Sequence, residues 1–598
     1  MNDSVTKEGI TADLEALARA GIGGVQIFDT ALIDDHRTFV TSPVKYLSPA
    51  WQELRRHALK EAGRLGMEVA FHTSAGYSES GGPWVTPENS MQHLVWSELQ
   101  VSGASGSPLR LPPPPVHYGL FQGPPQPGHQ SRFASEPANL AEYYHDIGVF
   151  AFRTPLGDNE PEAVPTRVTS NVPLHQPDVL RDHNEATRET LPLPTVENPV
   201  WIQYDYAGPI VVRSAVVACQ GWNWFQNGEL QASEDGITWK TVKPLTGIVR
   251  WDRFLPATTS LSETRAQHFR FRFISGVARA KRIDLSEIRL SPSAHLDHWE
   301  TKSAYAPALI PSMATVALPK ECSIPTNGEQ DLTARLRPDG TLDWRPPEGE
   351  GNWTVIRIGY APMGMTNHPA MPEAVGLEVD KLSRPAVEAY FAGGPEKIIN
   401  SAGDAAGTIL TGMLMDSWEV FTSNWTPAFR AEFNRHRNYD PLPWLPVFAG
   451  RIVGSPELSE RFLFDVRRTL SDLLLENYYE VLGGLTRKRG LKLQAEAPGR
   501  FWPTVADIFA TKGRVDVPMG EFWNEETFSN DAKQTAAAAE LYGKRIVSAE
   551  AFTSEPEHAG WQESPARFKA IGDRYFAAGI NQFVLHTVIQ QPWTNDHA

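Results

Sequence analysis

Two carboxylate-bearing segments of the chain have residue types suited to acid and base chemistry. The apolar run at residues 412–415 ends at Asp416 and Glu419, and the largely apolar run at residues 546–549 ends at Glu550. Runs of this kind are typical of strands buried on both faces of a parallel sheet. Carboxylates at the C-terminal ends of such strands are typical of catalytic residues in a (β/α)8 barrel. Two of them on different strands favour acid and base work on a sugar.

Asp416 and Glu419 compete for one role, because only three residue positions separate them. Asp416 lies at the strand tip, whereas Glu419 lies in the loop, where a longer side chain reaches a leaving group. We therefore expect Glu419 to be the general acid, Asp416 its supporting neighbour and Glu550 the general base. The alternatives are an Asp416 that ties a loop or caps a helix and a Glu419 that is simply solvated. Glu550 has small and apolar neighbours in the sequence, where an unused glutamate is costly.

Glu496 and Glu521 end two further predicted strands in the same way. Four carboxylates converging on one rim repel one another unless a cation lies among them, and calcium is a hard cation that binds carboxylate oxygens. We therefore predict Glu496 and Glu521 as metal-binding residues. No calcium-loop motif supports this assignment, and pairing with Arg500 or another arginine is the alternative.

Several histidines and tryptophans are candidates for contact with a sugar. His72 and His586 close predicted strands and offer hydrogen bonds to hydroxyl groups, although a buried core histidine is the alternative for each. The Gly- and Trp-containing segment at residues 76–88 is predicted to line a pocket. Aromatic faces stack against apolar C–H surfaces. The tryptophans predicted to act in this way are Trp84, Trp418, Trp502, Trp523 and Trp593.

An alternation of helices and strands must bring these residues together. The spacing of apolar residues predicts seven strands, at residues 24–29, 67–73, 412–416, 491–496, 515–521, 545–550 and 582–586, and helices at residues 6–20, 48–66, 384–402 and 455–490. Such alternation is typical of a parallel α/β fold. A (β/α)8 barrel needs an eighth strand, which should precede the first helix. We therefore expect a barrel truncated at both ends, with its first strand before Met1 and its last helix missing.

The alternation is interrupted between residues 101 and 352. A proline run at residues 111–115 and Gly-Pro turns mark the boundary, and many short strand-like runs follow. We predict an inserted all-β sandwich here, with residues 1–100 and 353–598 forming the two parts of the barrel. The apolar run at residues 354–360 is assigned to the edge of the insertion.

Composition narrows the classes of partner. The 598 residues carry 71 acidic and 55 basic side chains, for a net charge of -16, which argues against nucleic acid and anionic membranes as partners. No run approaches the roughly 20 apolar residues of a membrane span. Cys219 and Cys322 are the only cysteines, so no disulfide framework is predicted and the compartment, periplasmic or cytoplasmic, is left open together with the oligomeric state.

Five segments give the chain a resemblance to glycoside hydrolase family 106, the α-L-rhamnosidases. They are VTKEGITADLE at residues 5–15, GGVQIF at 23–28, SGGPWVTPE at 80–88, DSWE at 416–419 and QAE at 494–496. The run QASEDGITW at residues 231–239 is similar to discoidin-type or galactose-binding-like sandwiches, which places such a unit at about residues 185–295. The chain departs from the family pattern at both ends, where a Trp-rich first strand and further β domains are expected.

The resemblance implies a carbohydrate substrate and hydrolysis of terminal α-L-rhamnose with inversion. It implies Glu419 as the acid, Glu550 as the base and Asp416 as a supporting residue, with a calcium ion that engages sugar hydroxyls. Two rival hypotheses are kept. One is a glycosidase for another neutral or deoxy sugar, which the same carboxylates would serve, and the other is an inactive carbohydrate-binding fragment.

Overall fold

The computed structural model describes most of the chain. The described residues are 3–31, 38, 40–102, 108–114, 140–184, 187–219, 223–246, 255–277, 280–305, 315–347, 351–499, 505–560 and 562–588. Trp502, Trp593 and Arg500 lie outside them. Within this portion, no helix combines the length and the hydropathy that crossing a bilayer requires.

The N-terminal segment folds as its caps and apolar spacing predict. It contains α1 (Lys7–Arg19), β1 (Gly24–Asp29), α2 (Pro49–Leu65) and β2 (Glu68–Ala75). Thr6 caps α1 by accepting a hydrogen bond from the Gly9 amide, and Ser48 caps α2 through the amide of Trp51. Gly66 ends α2 in the left-handed conformation, which a glycine adopts without steric cost.

The middle of the chain is almost entirely β structure. It contains β3 (Gln92–Ser102), β4 (Leu109–Arg110), β5 (His145–Arg153), β6 (Arg167–Ser170), β7 (Glu189–Pro192), β8 (Val200–Cys219), β9 (Phe225–Ser233), β10 (Lys240–Thr246), β11 (Leu255–Gly276), β12 (Arg282–Ser291), α3 (Trp299–Lys302), β13 (Gln330–Asp331), β14 (Thr341–Leu342) and β15 (Asn352–Pro362).

Helices and strands alternate again in the C-terminal part. It contains α4 (Arg384–Gly393), α5 (Pro395–Ser401), β16 (Leu410–Met415), α6 (Phe429–Arg437), α7 (Pro456–Leu473), α8 (Glu480–Arg487), β17 (Lys492–Ala495), α9 (Ile508–Arg514), β18 (Val517–Trp523), α10 (Asn530–Leu541), β19 (Ser548–Thr553), α11 (Pro556–Ala559), α12 (Pro565–Ala578) and β20 (Gln582–Leu585). A π-helical segment, Leu474–Tyr479, joins α7 to α8. The predicted helix at residues 384–402 is divided between α4 and α5.

Seven parallel strands form the sheet that carries the predicted site. Their order is β1-β2-β16-β17-β18-β19-β20, and every neighbouring pair is parallel. All seven predicted strands are therefore confirmed. A closed eight-stranded barrel is not seen, since among the described residues no strand pairs with the outer edge of β1 or of β20. The predicted first strand, placed before Met1, stays a prediction.

The parallel sheet is strongly curled. Two strands separate β1 from β17 in the sheet, yet the side-chain amide of Gln26 on β1 donates to Gln494 Oε1 on β17 at 2.9 Å. The same nitrogen lies 3.6 Å from the sulfur of Met519 on β18. Side chains therefore meet across the concave face, so residues at the C-terminal ends of non-neighbouring strands also come together.

Among the described residues, two larger antiparallel sheets and the two-stranded sheet β14-β4 occupy the middle of the chain. One has the order β13-β5-β15-β3, and the larger has the order β10-β9-β11-β8-β12-β7 with β6 paired to β8. The apolar run at residues 354–360 lies in β15, which pairs with β3 and β5 and not with the parallel sheet. The larger sheet has its own hydrophobic core, which includes Tyr204, Val217, Phe269, Phe271 and Ile288.

Candidate active site

Carboxylates from three strands of the parallel sheet converge at one end of it. Asp416 follows β16 directly, Glu496 follows β17, and Glu550 lies within β19. One oxygen from each of these side chains lies within 4.8 Å of the other two. Because β17 and β19 are not neighbours, this cluster exists only because the sheet is curled.

Asp416 is buried at the centre of this group. Its backbone N–H donates to His72 Nε2 at 3.3 Å. Burial, followed by the negative charges of Glu550, Glu419 and Glu521, holds the pKa of Asp416 well above its usual range. Asp416 therefore binds a proton more tightly than an ordinary aspartate does.

Glu419 lies in the loop after β16, where His368 and Ser417 contact its two oxygens. His368 Nε2 is 2.9 Å from Oε2, and the Ser417 hydroxyl is 3.2 Å from Oε1. The His368 N–H donates to Ser78 Oγ, whose hydroxyl lies 3.2 Å from His368 Nδ1. The Nε2 atom faces the Glu419 carboxylate, which can only accept when ionised, so a hydrogen on Nε2 makes His368 a donor to Glu419. Sequence reasoning missed His368, which lies in a loop without periodic signal.

Glu550 faces the same end of the sheet from β19. Its Oε1 accepts a hydrogen bond from the Thr553 hydroxyl at 2.6 Å and lies 3.6 Å from His586 Nδ1. Glu521 on β18 is its register partner, so the two side chains leave adjacent strands on the same face. Of the predicted sugar contacts, His586 is thus brought beside a predicted catalytic residue, and it is exposed.

Glu496 is the least satisfied of the carboxylates. It is 1% exposed, and neither of its oxygens has a hydrogen-bond partner in the described part of the chain. Burial, together with Glu521, Asp416 and Glu550, holds its pKa well above the usual range. Gly499, at φ +99°, closes the loop over it so tightly that a Cβ atom would lie 2.9 Å from Glu496 Oε2. No side chain at position 499 would fit without displacing this carboxylate.

A buried ammonium group lies close to the carboxylate cluster. The ammonium group of Lys512, which is fully buried, donates to the backbone carbonyls of Glu496 and Met519 at 2.6 Å each. It also lies 3.0 Å from Asp531 Oδ1. Lys512 therefore ties the ends of β17 and β18 together while Asp531 neutralises its charge, and it was not anticipated from the sequence.

His72 and Trp418 pack beneath the site and do not face it. His72 is 1% exposed and Trp418 is 2% exposed. His72 Nδ1 lies 2.8 Å from the Ser74 carbonyl, and its Nε2 accepts from the Asp416 amide, so both ring nitrogens are used within the protein. Burial lowers the pKa of His72 to about 4, which keeps the ring neutral. Both side chains are almost inaccessible to solvent, and their predicted contact with a sugar stays a prediction.

Trp84 and Trp523 are half-buried. The Trp84 ring lies against Gly393 and Gly394 and stacks at 6.2 Å from Tyr390, which ties the segment at residues 76–88 to α4 and α5. The indole N–H of Trp523 donates to Glu521 Oε1. Trp523 therefore orients a carboxylate at the rim, whereas Trp84 anchors a loop.

A cavity of about 310 Å³ reaches this cluster from the side of β1 and α2. Tyr77, Asp416 and His586 are among its lining residues. Burial and the charges of Glu419, Asp416 and Glu550 raise the pKa of Tyr77 to about 12. Tyr77 is therefore within electrostatic range of all three predicted catalytic carboxylates, of which Asp416 lines the cavity.

Comparisons with known proteins identify the family of the chain. A protein of Formosa agariphila named putative beta-glucuronidase is 31% identical over 594 residues, which is 99% of this chain and 36% of that protein. The solved structure of a rhamnosidase from Novosphingobium sp. PP1Y aligns with a TM-score of 0.79 and 33% identity, over 100% of this chain and 55% of that one. The chain thus spans about a third and about half of the length of these relatives. Since the family profile described as alpha-L-rhamnosidase matches residues 1–597, the chain belongs to glycoside hydrolase family 106.

Proposed function

We propose that this chain carries the catalytic site for hydrolysis of terminal α-L-rhamnosyl residues with inversion. The observation that supports this most directly is the meeting of Asp416, Glu496 and Glu550 at one end of the parallel sheet, with Glu419 charge-coupled to the same group. Membership of the family supplies the substrate class. An inverting enzyme needs room for a water molecule between acid and base, on the order of 6.5–9.5 Å.

Glu419 is proposed as the general acid. His368 holds Oε2, which leaves Oε1, beside the Ser417 hydroxyl, to carry the proton that the departing glycosidic oxygen receives. The side chain is 21% exposed, so a leaving group reaches it from solvent. Asp416 supports this role, because its position beside Glu419 and Glu550 sets the local charge.

Glu550 is proposed as the general base. Thr553 and His586 both contact Oε1 of Glu550. Oε2 is therefore proposed to accept a proton from the attacking water. The water would attack the anomeric carbon from the face opposite the leaving group, so the product has inverted configuration. The proton taken by Glu550 and the proton given by Glu419 balance over one turnover.

The residues present fit a calcium ion. Calcium binds oxygen ligands at about 2.3–2.6 Å, so two ligands on one ion are separated by at most about 5 Å. The oxygens of Asp416, Glu496 and Glu550 meet this condition, and Glu496 has two buried oxygens without partners in the described residues. When bound, the ion would supply positive charge that orients sugar hydroxyls. Asp416 and Glu496 are the proposed holders, while Glu521, predicted as a ligand, is engaged by Trp523.

The test is a kinetic comparison on p-nitrophenyl α-L-rhamnoside. Glu419→Gln and Glu550→Gln are each expected to lower kcat by about 10²–10⁴-fold. Glu388→Gln, at an exposed position on α4, is the matched control and should leave kcat unchanged. Proton NMR of the first product should show the anomer of inverted configuration. Retained configuration, or variants as active as the parent chain, would overturn the proposal.

A second substrate class is favoured by one comparison. The Formosa agariphila relative is named putative beta-glucuronidase, and the same carboxylates would serve another sugar. Assay of a panel of p-nitrophenyl glycosides that includes the β-D-glucuronide separates the two. Release only from a non-rhamnosyl substrate would reassign the specificity, and rhamnose binding without release from any substrate would favour the binding-fragment hypothesis.

A further inference from the structure

A second cleft, of about 660 Å³, lies on the larger antiparallel sheet, away from the carboxylate cluster. Strand register builds it: Arg270 on β11 is paired with Gln203 on β8 and with Gln231 on β9. The next outward-facing row pairs Arg272 with Trp201 and Glu229. The alternate residues of these strands point into the sheet's own core, which leaves this face polar.

Arg270 is the exceptional residue of this cleft. Its guanidinium lies 4.3 Å from the ring centroid of Trp201 and 3.9 Å from that of Trp239, so two indoles hold it in place. Arg272 has a carboxylate partner, since it donates to Glu229 at 2.6 Å. Within the described part of the chain, Arg270 has only the amide oxygen of Gln203, at 2.8 Å, and no carboxylate within 4.0 Å.

Two polar atoms in this cleft lack partners. They are Arg270 Nε, a donor, and Gln231 Oε1, an acceptor, and both are buried without a hydrogen bond in the described residues. Burial, followed by the charge of Arg272, lowers the pKa of Arg270, while the charge of Asp205 opposes this shift. A half-buried cation without a directly paired carboxylate is stabilised by an anionic ligand.

We infer that this cleft binds an acidic sugar, with the carboxylate of a uronate on Arg270 and a hydroxyl on Gln231. An unpaired donor beside an unpaired acceptor matches a ligand that carries a carboxylate next to hydroxyl groups. Val172, Leu193 and Val200 line the cleft with apolar surface, which suits the C–H face of a sugar ring. Glu197 also lines the cleft, at an exposed position. The saccharide class of the ligand rests on the proposed function, whereas the anion site does not.

The experiment is calorimetric titration of the whole chain with sodium D-galacturonate, D-galactose and sodium acetate. Galacturonate is expected to bind at least tenfold more tightly than either of the other two. Gln231→Glu places a carboxylate beside Arg270 and keeps both indoles that contact its guanidinium. It should weaken galacturonate binding at least tenfold. Arg270→Gln should do the same. Arg265→Gln, at an exposed position on the same strand, is the control and should bind as the parent chain does.

Failure of uronate binding can be distinguished from failure of rhamnoside hydrolysis. Rhamnoside turnover is measured on the same variants, and Gln231→Glu should leave it unchanged because the cleft lies on another sheet. Equal binding of acetate and galacturonate would indicate a simple anion site and overturn the proposal, as would equal binding of galactose or of a Glu-rich peptide. Galacturonate binding that survives in Gln231→Glu would also overturn it.

Discussion

At the scale of single residues, the two proposed catalytic carboxylates share one design. Neighbouring side chains orient each of them: His368 contacts Oε2 and Ser417 contacts Oε1 of Glu419, while Thr553 and His586 both contact Oε1 of Glu550. A fixed carboxylate presents its second oxygen in a constant direction. Orientation of this kind matters because a misplacement of about 1 Å costs on the order of 10²-fold in rate.

His368 is predicted to be a positioning residue for the proposed acid. His368→Ala frees Glu419 Oε2 and should lower kcat by about 10²-fold, whereas His368→Gln, whose amide still donates, should recover part of the loss. A structural role alone would affect all substrates equally. Loss of acid function should instead spare aryl rhamnosides, which have good leaving groups, relative to alkyl rhamnosides.

The control for this prediction is His558→Ala, at an exposed position on α11, which should leave both substrates unaffected. Circular dichroism of each variant checks that the fold is retained. An equal loss on aryl and alkyl rhamnosides would contradict the positioning role of His368.

Calcium binding should depend most strongly on Glu496. Titration of the chelator-treated protein with calcium chloride is expected to give one site, and Glu496→Gln should weaken it at least tenfold. Glu521→Gln should have a smaller effect, because Trp523 already engages that carboxylate. The variant Glu550→Gln distinguishes a general base from a calcium ligand at this position. Retained calcium affinity would indicate a general base, and lost affinity would indicate a ligand. Wild-type affinity in Glu496→Gln would contradict the assignment.

At the scale of elements, close contacts between side chains and glycines hold the loops in place, and the pattern of apolar residues does not predict these contacts. A Cβ atom at Gly394, between α4 and α5, would lie 2.0 Å from a ring carbon of Trp84. Gly394→Ala should therefore destabilise the fold by about 1–3 kcal/mol through overpacking. Gly484→Ala, on α8, meets no atom within 4 Å and should be neutral or stabilising by up to about 1 kcal/mol. Thermal unfolding of the two variants gives the comparison, and equal midpoints would contradict it.

The apolar runs were sufficient to predict all seven parallel strands, but not which side chains face the pocket. A strand in a parallel sheet is buried on both faces, so its pattern is the same whether a side chain points to a cavity or to packed interior. His72 follows this rule, since it lies on a predicted strand and is buried, and Trp418, in the loop two residues after Asp416, is buried as well. His368 could not be predicted either, because its link to Glu419 depends on a loop brought close only by tertiary folding.

At the scale of the whole molecule, the catalytic sheet and the antiparallel sheets come from interleaved parts of the chain. The larger antiparallel sheet has its own hydrophobic core. Apolar side chains of β3, β5 and β15 instead pack in one core with those of α6 and α7, and buried ion pairs add polar links to this packing.

Arg451 is one of these polar links, and its loss should be costly. It is 9% exposed and forms ion pairs with Glu98 on β3 and with Asp158, which follows β5. Asp158 has a side chain only 2% exposed, so Arg451→Met would leave a buried charge without its partner. Breaking one half of such a pair costs about 3–5 kcal/mol, and the unfolding free energy in urea should fall by that amount.

The matched control for Arg451 is Arg337, whose side chain is 60% exposed and pairs with the equally exposed Asp343 at 3.4 Å. Arg337→Met should change the unfolding free energy by less than about 1 kcal/mol, because surface ion pairs are weak. Equal effects of the two variants would show that burial does not distinguish them. A large effect of Arg451→Met alone, with rhamnoside turnover lost in parallel with folding, would show that the antiparallel sheets stabilise the catalytic sheet.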